Sequence, residues 1–177
     1  MTYLQLDKYA RDFRLWRDWA AIDYQAASIL FGTHDPFLLF PAATLGHHAL
    51  EMYLKSALVV NGLTIFDPKK VKLLDPQVNL VAADCAWGHD LVELAKRLAQ
   101  RSGTFDPSRQ MGIVGYLAMK EPMTIEEGLS IFDPFFRELR YPQEINKVDG
   151  IGEEHKRLLD SLVSELRHAR LKWNQLP

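Results

Sequence analysis

The chain contains a single cysteine, Cys85. An internal disulfide framework is therefore excluded, and nothing around Cys85 has the spacing of a zinc site. A free thiol, buried or half-buried in a reducing cytosol, is the expectation. No run of eighteen apolar residues occurs, so no segment is expected to span a membrane. Residues 1–12 lack the apolar core of a signal peptide, and a cytoplasmic location follows as an expectation. Charge of one sign is not in excess. Lys and Arg number 21 against 23 Asp and Glu, a net charge of −2. That balance argues against coating nucleic acid by charge alone, but leaves room for one local basic cleft. Also missing are a glycine loop that cradles phosphate, a zinc-protease motif and a nucleophile elbow. No cofactor is expected. There is no alternating strand pattern and no internal repeat.

What is present is helical punctuation around apolar stripes. The 177 residues fit one domain over 1–177. A domain of that size buries roughly 70% of its unfolded surface and needs no staple. A first helix is expected over residues 6–31. Tyr9, Phe13, Trp16 and Ala20 form one stripe, and Leu15, Trp19, Ile22, Ala26 and Ile29 a second, which together predict a broad buried face. Gly32 is placed to stop it. Asp35-Pro36 or Phe40-Pro41 opens the second helix, because proline suits the first helical turn. Asn61-Gly62 ends it. Residues 63–87 read as an irregular insertion, with two Asp-Pro turn signals and Lys69, Lys70 and Lys72.

A third helix should follow Gly88-His89-Asp90 and run to about residue 101, stopped by Gly103. Asp106-Pro107 signals a short helix to about residue 119. Thr124 and Glu127 have capping-box spacing. Asp133-Pro134 interrupts or kinks that helix, and Tyr141-Pro142 ends it. The last helix, over residues 152–173, carries Leu159, Leu162, Leu166, Ala169 and Trp173 on one side. The expected architecture is an all-α, up-and-down bundle of about five to six helices.

Three constellations carry candidate chemistry. Residues 41–62 read as a helix apolar almost all round, hence central in a bundle. One polar stripe interrupts it: Thr44, His48, Glu51 and Lys55, with His47 at its edge. The stripe is a Glu51–Lys55 pair with histidines bonded to other helices, a cleft or dimer face for an anionic ligand, or a metal site. The metal reading has little behind it, since a di-iron site needs two Glu-x-x-His units and Glu165-x-x-His168 is the one on a clear helix. The second constellation is Arg137, Arg140 and Tyr141 near a helix end. Two guanidiniums beside an aromatic ring suit phosphate and base binding, or make salt bridges to the next helix. The third is His89-Asp90, a helix start with a dipole-complementing Asp90, or a catalytic pair without a visible nucleophile.

Together these residues resemble the HEPN family (higher eukaryotes and prokaryotes nucleotide-binding). The likeness rests on three segments in order: Trp19, Asp23, Tyr24, Ala26, Ala27 and Leu30; then Pro41-Ala42-Ala43 and residues 48–58; then Gly88-His89-Asp90-Leu91 and Leu139-Arg140-Tyr141-Pro142. It covers about two thirds of the chain. The resemblance implies a compact helical bundle, usually a homodimer, often beside a small nucleotidyltransferase in a toxin–antitoxin pair. Other members are metal-independent ribonucleases with an Arg-x4–6-His motif. Here no arginine is followed by a histidine five to seven positions later. The prokaryotic variant ending in Arg-Tyr-Pro is the closer likeness.

The resulting expectation is a non-catalytic module, with no metal. It would bind nucleotide, RNA or a nucleotidyltransferase partner through His47, His48, Glu51, Lys55, Arg137, Arg140 and Tyr141, with His89 and Asp90 as secondary candidates. The alternatives are a metal-independent ribonuclease or phosphodiesterase with an unconventional His/Arg site, and a structural homodimer whose stripe fixes register.

Overall fold

A computed structural model describes residues 10–66, 69, 85–112, 122–137 and 150–171. Helix α1 spans Phe13–Gly32. The unbroken helix expected over residues 6–31 is interrupted at Asp12, whose backbone is extended and whose side chain caps the helix by accepting from the Arg14 and Leu15 N–H groups, and residues 6–9 lie outside the described residues. An aspartate in front of an apolar stripe satisfies the orphan donors of a new helix better than it continues an old one.

Helix α2 spans Pro36–Val60 and takes the earlier of the two candidate starts. The Asp35 carboxylate accepts from the Phe37 N–H at 2.9 Å. Pro41 lies inside the helix. Near the N-terminus it removes one early hydrogen bond and leaves the rest of the ladder intact. Asn61 closes the helix, as expected.

Helix α3, Leu91–Ser102, is capped by Asp90 and stopped by a left-handed Gly103. Helix α4, Ile125–Phe132, starts with the Thr124–Glu127 capping box complete in both directions. Asp133-Pro134 then breaks the chain into the short α5, Pro134–Arg137. Helix α6 spans Glu153–Leu171. The described residues hold these helices and two isolated β-bridges, Thr64 with Cys85 and Gln110 with Thr124. The fold is all-α. No described helix is long and apolar enough to cross a membrane.

Among the described residues, helices α1 and α2 form a hairpin with the most extensive contact, and α2 also touches α3, α4, α5 and α6. The apolarity of α2 from Ala42 to Leu58 is thus answered by neighbours on several sides. Leu50, Leu54 and Leu58 are fully buried, each worth roughly 1.5–3 kcal/mol. At Gly46 a Cβ would stand 3.1 Å from both the Leu159 side chain and the Phe132 ring. The missing methyl lets α6 and the end of α4 close onto α2.

Two expectations from helical spacing fail. The second stripe of α1 is not buried: Trp19, Ile22 and Ile29 are exposed, and so is Phe37 at the start of α2, at 88%. Ala20, Ala27 and Phe31 face the core instead. At roughly 100° per residue, Ile22 and Ile29 lie on the far side of the helix from those three. Asp106-Pro107 does not open a helix in the described part of its segment. The Asp106 carboxylate bonds the Ser108 N–H and hydroxyl in a turn, a local bond that competes with helix formation. The rest of that segment, 113–121, lies outside the described residues.

The ends of the irregular insertion meet. Ala86 N–H donates to the Thr64 carbonyl at 2.9 Å, and Leu63, Ile65, Cys85 and Ala86 are buried. This closes the neck between residues 63 and 87 and sets Trp87, Gly88 and His89 directly before α3.

Candidate functional site

The polar stripe of α2 divides in two. His47, Glu51 and Lys55, at successive turns of the helix, are all buried. His48 leaves the line: its Nδ1 pairs with Asp23 Oδ2 of α1 at 2.6 Å, and its ring is part-exposed. Thr44 bonds its own helix through the Phe40 carbonyl. The buried line, not the outer one, builds the site.

Glu51 is the centre, at 1% exposure. Its Oε1 accepts from Lys55 Nζ at 2.5 Å. Both carboxylate oxygens lie 3.0 Å from His89 Nδ1, and Oε2 lies 3.6 Å from His47 Nε2. Burial alone would raise the pKa of Glu51. The opposing pull of His47, Lys55 and His89 outweighs it and brings the value from 4.5 down to about 2. The carboxylate is therefore ionised throughout the physiological range.

An ionised acceptor fixes the proton positions around it. His89 Nδ1 must carry the hydrogen it gives to Glu51. Its Nε2 then points away, without a partner among the described residues, on a ring 42% exposed. His47 Nδ1 is 2.9 Å from the Phe132 carbonyl, which can only accept, so that nitrogen carries a hydrogen as well. His47 Nε2 faces Glu51 beyond hydrogen-bond range, buried and without a partner.

Aromatic rings wall the cluster. Phe136 stacks on His89 with centroids 4.2 Å apart and on His47 at 5.4 Å. Lys55 Nζ lies 5.6 Å from the Trp16 ring and 5.7 Å from the Trp87 ring, so the ammonium is held by π-faces as well as by Glu51. Trp16 Nε1 is a second buried polar atom without a partner. Trp87 is exposed and edge-on to His89 at 6.3 Å. The site thus has a charged floor and a rim made of His89 and Trp87.

Gly88 makes the rim possible. Its φ of 121° belongs to a region that side chains avoid, and it turns the chain from Trp87 into His89 immediately before the α3 cap. Asp90 serves that cap, accepting from the Glu93 N–H at 2.8 Å. The carboxylate partner of His89 is Glu51, not its sequence neighbour. Arg140, Tyr141 and the Arg137 side chain lie outside the described residues, so their expected meeting with Lys55 lies there too. Among the described residues no group of His, Cys, Asp and Glu is arranged to hold a metal ion.

The sequence reading left Trp16, Trp87 and Phe136 out of the site, and did not connect His89 with Glu51. Only the position of Trp87-Gly88-His89 before a cap hinted at it. The chain matches no protein-family model, no curated protein and no solved structure.

Proposed function

We propose that this chain is a HEPN-like, non-catalytic module that binds nucleotide or RNA at the His89–Trp87 rim. The observation that carries the reading is His89 itself. Both oxygens of a buried, ionised Glu51 hold its Nδ1, while Nε2 faces outward beside an exposed indole. A fixed imidazole can donate to a phosphate oxygen when protonated, and an indole face accepts a stacked base. Lys55 adds positive charge beneath the rim, although Glu51 already engages it. One of the three segments that carry the family resemblance, through residues 48–58, also supplies Glu51 and Lys55.

The module acts, in this reading, as a homodimer in the cytoplasm, beside a nucleotidyltransferase-type protein in a toxin–antitoxin-like pair. The exposed Trp19, Ile22, Ile29 and Phe37 support the dimer, being large apolar groups left open on one hairpin. Sedimentation at micromolar concentration should give twice the chain mass, and Ile22→Asp with Ile29→Asp should return the monomer.

The binding test is fluorescence anisotropy of a short labelled single-stranded RNA. Wild type should bind with affinity that falls as salt rises, and His89→Ala or Trp87→Ala should each weaken binding about tenfold. No binding by wild type, or equal binding by all three proteins, contradicts the reading. A second reading rests on the same Glu51–His89 couple: a carboxylate-oriented imidazole with a free Nε2 is also the geometry of a general base. Cleavage of RNA in EDTA, lost in His89→Ala, would replace the binding module with a phosphodiesterase.

A further inference from the structure

Arg167 of α6 is an exposed cation without an ion-pair partner among the described residues. Its Nε and Nη2 donate to the Tyr53 hydroxyl at 3.1 and 2.7 Å. Its guanidinium carbon lies 5.2 Å from the Tyr24 ring centroid and 5.4 Å from that of Tyr53. The rings fix the guanidinium in place and supply no negative charge. Asp160, the carboxylate of this cluster, is engaged elsewhere: Oδ1 accepts from the Tyr24 hydroxyl at 2.8 Å and Oδ2 from Lys156 at 3.1 Å. Burial, then the bond to Asp160, raises the pKa of Tyr24, so that phenol stays a neutral donor.

The hydrogen-bond inventory is unbalanced toward donors. A guanidinium has five N–H groups, and two go to Tyr53. The Tyr53 hydroxyl accepts both, and its own hydrogen has no acceptor among the described residues, although Tyr53 is only 6% exposed. An exposed planar cation beside a phenolic hydroxyl whose hydrogen has no acceptor among the described residues suits a compact anion that accepts several hydrogen bonds.

We propose that Arg167 and the Tyr53 hydroxyl bind a phosphoryl group on the side of α2 that faces α1 and α6. Tyr53 stands two residues from Glu51, about 200° round the helix. This is therefore a second site, independent of the His89 rim. The phosphoryl group comes either free or as the phosphate of a nucleotide.

The test is thermal unfolding of the full chain at matched pH and ionic strength, with chloride, inorganic phosphate, adenosine 5′-monophosphate or adenosine. Wild type should be stabilised by phosphate or by the monophosphate, in proportion to the logarithm of concentration, and not by chloride or adenosine. Stabilisation by both marks a site for any phosphoryl group; stabilisation by the monophosphate alone marks a nucleotide site. Arg167→Met should abolish the response, and Arg167→Lys should weaken the apparent affinity about tenfold because the fork is lost. His89→Ala should retain it. Equilibrium dialysis of labelled phosphate against wild type and Arg167→Lys, with folding checked by circular dichroism, covers the case in which Arg167→Met or Tyr53→Phe does not fold. No phosphate-specific stabilisation in wild type overturns the proposal. So does an equal response in Arg167→Met, which would leave Arg167 as a structural clamp, or a response lost in His89→Ala alone.

Discussion

Glu51 and Tyr53 stand two residues apart on α2 and lead into opposite kinds of polar site. Around Glu51 the anion is buried, and Lys55, His47 and His89 gather to it. Around Tyr53 the cation is exposed, and neutral phenols gather to it. The contrast teaches that burial decides which charges a fold must answer. A carboxylate out of water has to be compensated within the protein. A guanidinium at the surface can keep an open fork, because water screens it at little cost.

The comparison breaks most visibly at Glu51. Glu51→Gln leaves Lys55 buried without its counter-charge and should cost about 3–5 kcal/mol in urea unfolding at pH 7. Replacing both partners, Glu51→Leu with Lys55→Met, should recover most of that loss, since an apolar pair of similar volume has no desolvation cost to offset. If the double variant is as unstable as Glu51→Gln, the charges are needed for more than mutual neutrality. The same carboxylate governs stability in acid. Its folded value of about 2 lies below its ordinary 4.5, so its contribution is complete above pH 4.5 and is lost as pH falls toward 2. In Glu51→Gln that part of the stability–pH curve should flatten. An unchanged slope would mean another group carries it.

A smaller effect is expected one step outward, at the loop that delivers His89. Gly88→Ala places a side chain at a φ of 121°, a strain of roughly 1–3 kcal/mol. Because the strain relaxes by moving His89, RNA binding should weaken more than stability falls. Equal losses would detach the rim from the loop geometry. The smallest effect belongs to the open side. Arg167→Met should change stability by about 1 kcal/mol or less, the loss of exposed cation–π contacts. A cost as large as that of Glu51→Gln would mean that the two sites are not of different kinds.

What the sequence made legible was local or all-round. Asp90, Gly103, Asn61 and the Thr124–Glu127 box could be read because a cap involves residues three or four apart. Helix α2 could be placed at the centre because apolarity on every face leaves no other location. The outward stripe of α1 was misread because periodicity shows that two apolar faces exist, not which one meets the core. Asp106-Pro107 was misread because Asp-Pro begins turns as readily as helices. Of the site, the Glu51–Lys55 pair follows from spacing alone. The contact of His89 with Glu51 spans 38 positions and that of Arg167 with Tyr53 spans 114, and no local pattern reports such meetings.

At the centre of this account stands an ionised Glu51 that orients His89. The ring-nitrogen spectrum of 15N-labelled histidine, read for the neutral ring, tests it most directly. The predicted result is a neutral ring with hydrogen on Nδ1 and a bare Nε2, the reverse of the form that free histidine favours, returning to the ordinary form in Glu51→Gln. A neutral His89 with its hydrogen on Nε2 in the wild-type protein would contradict the account.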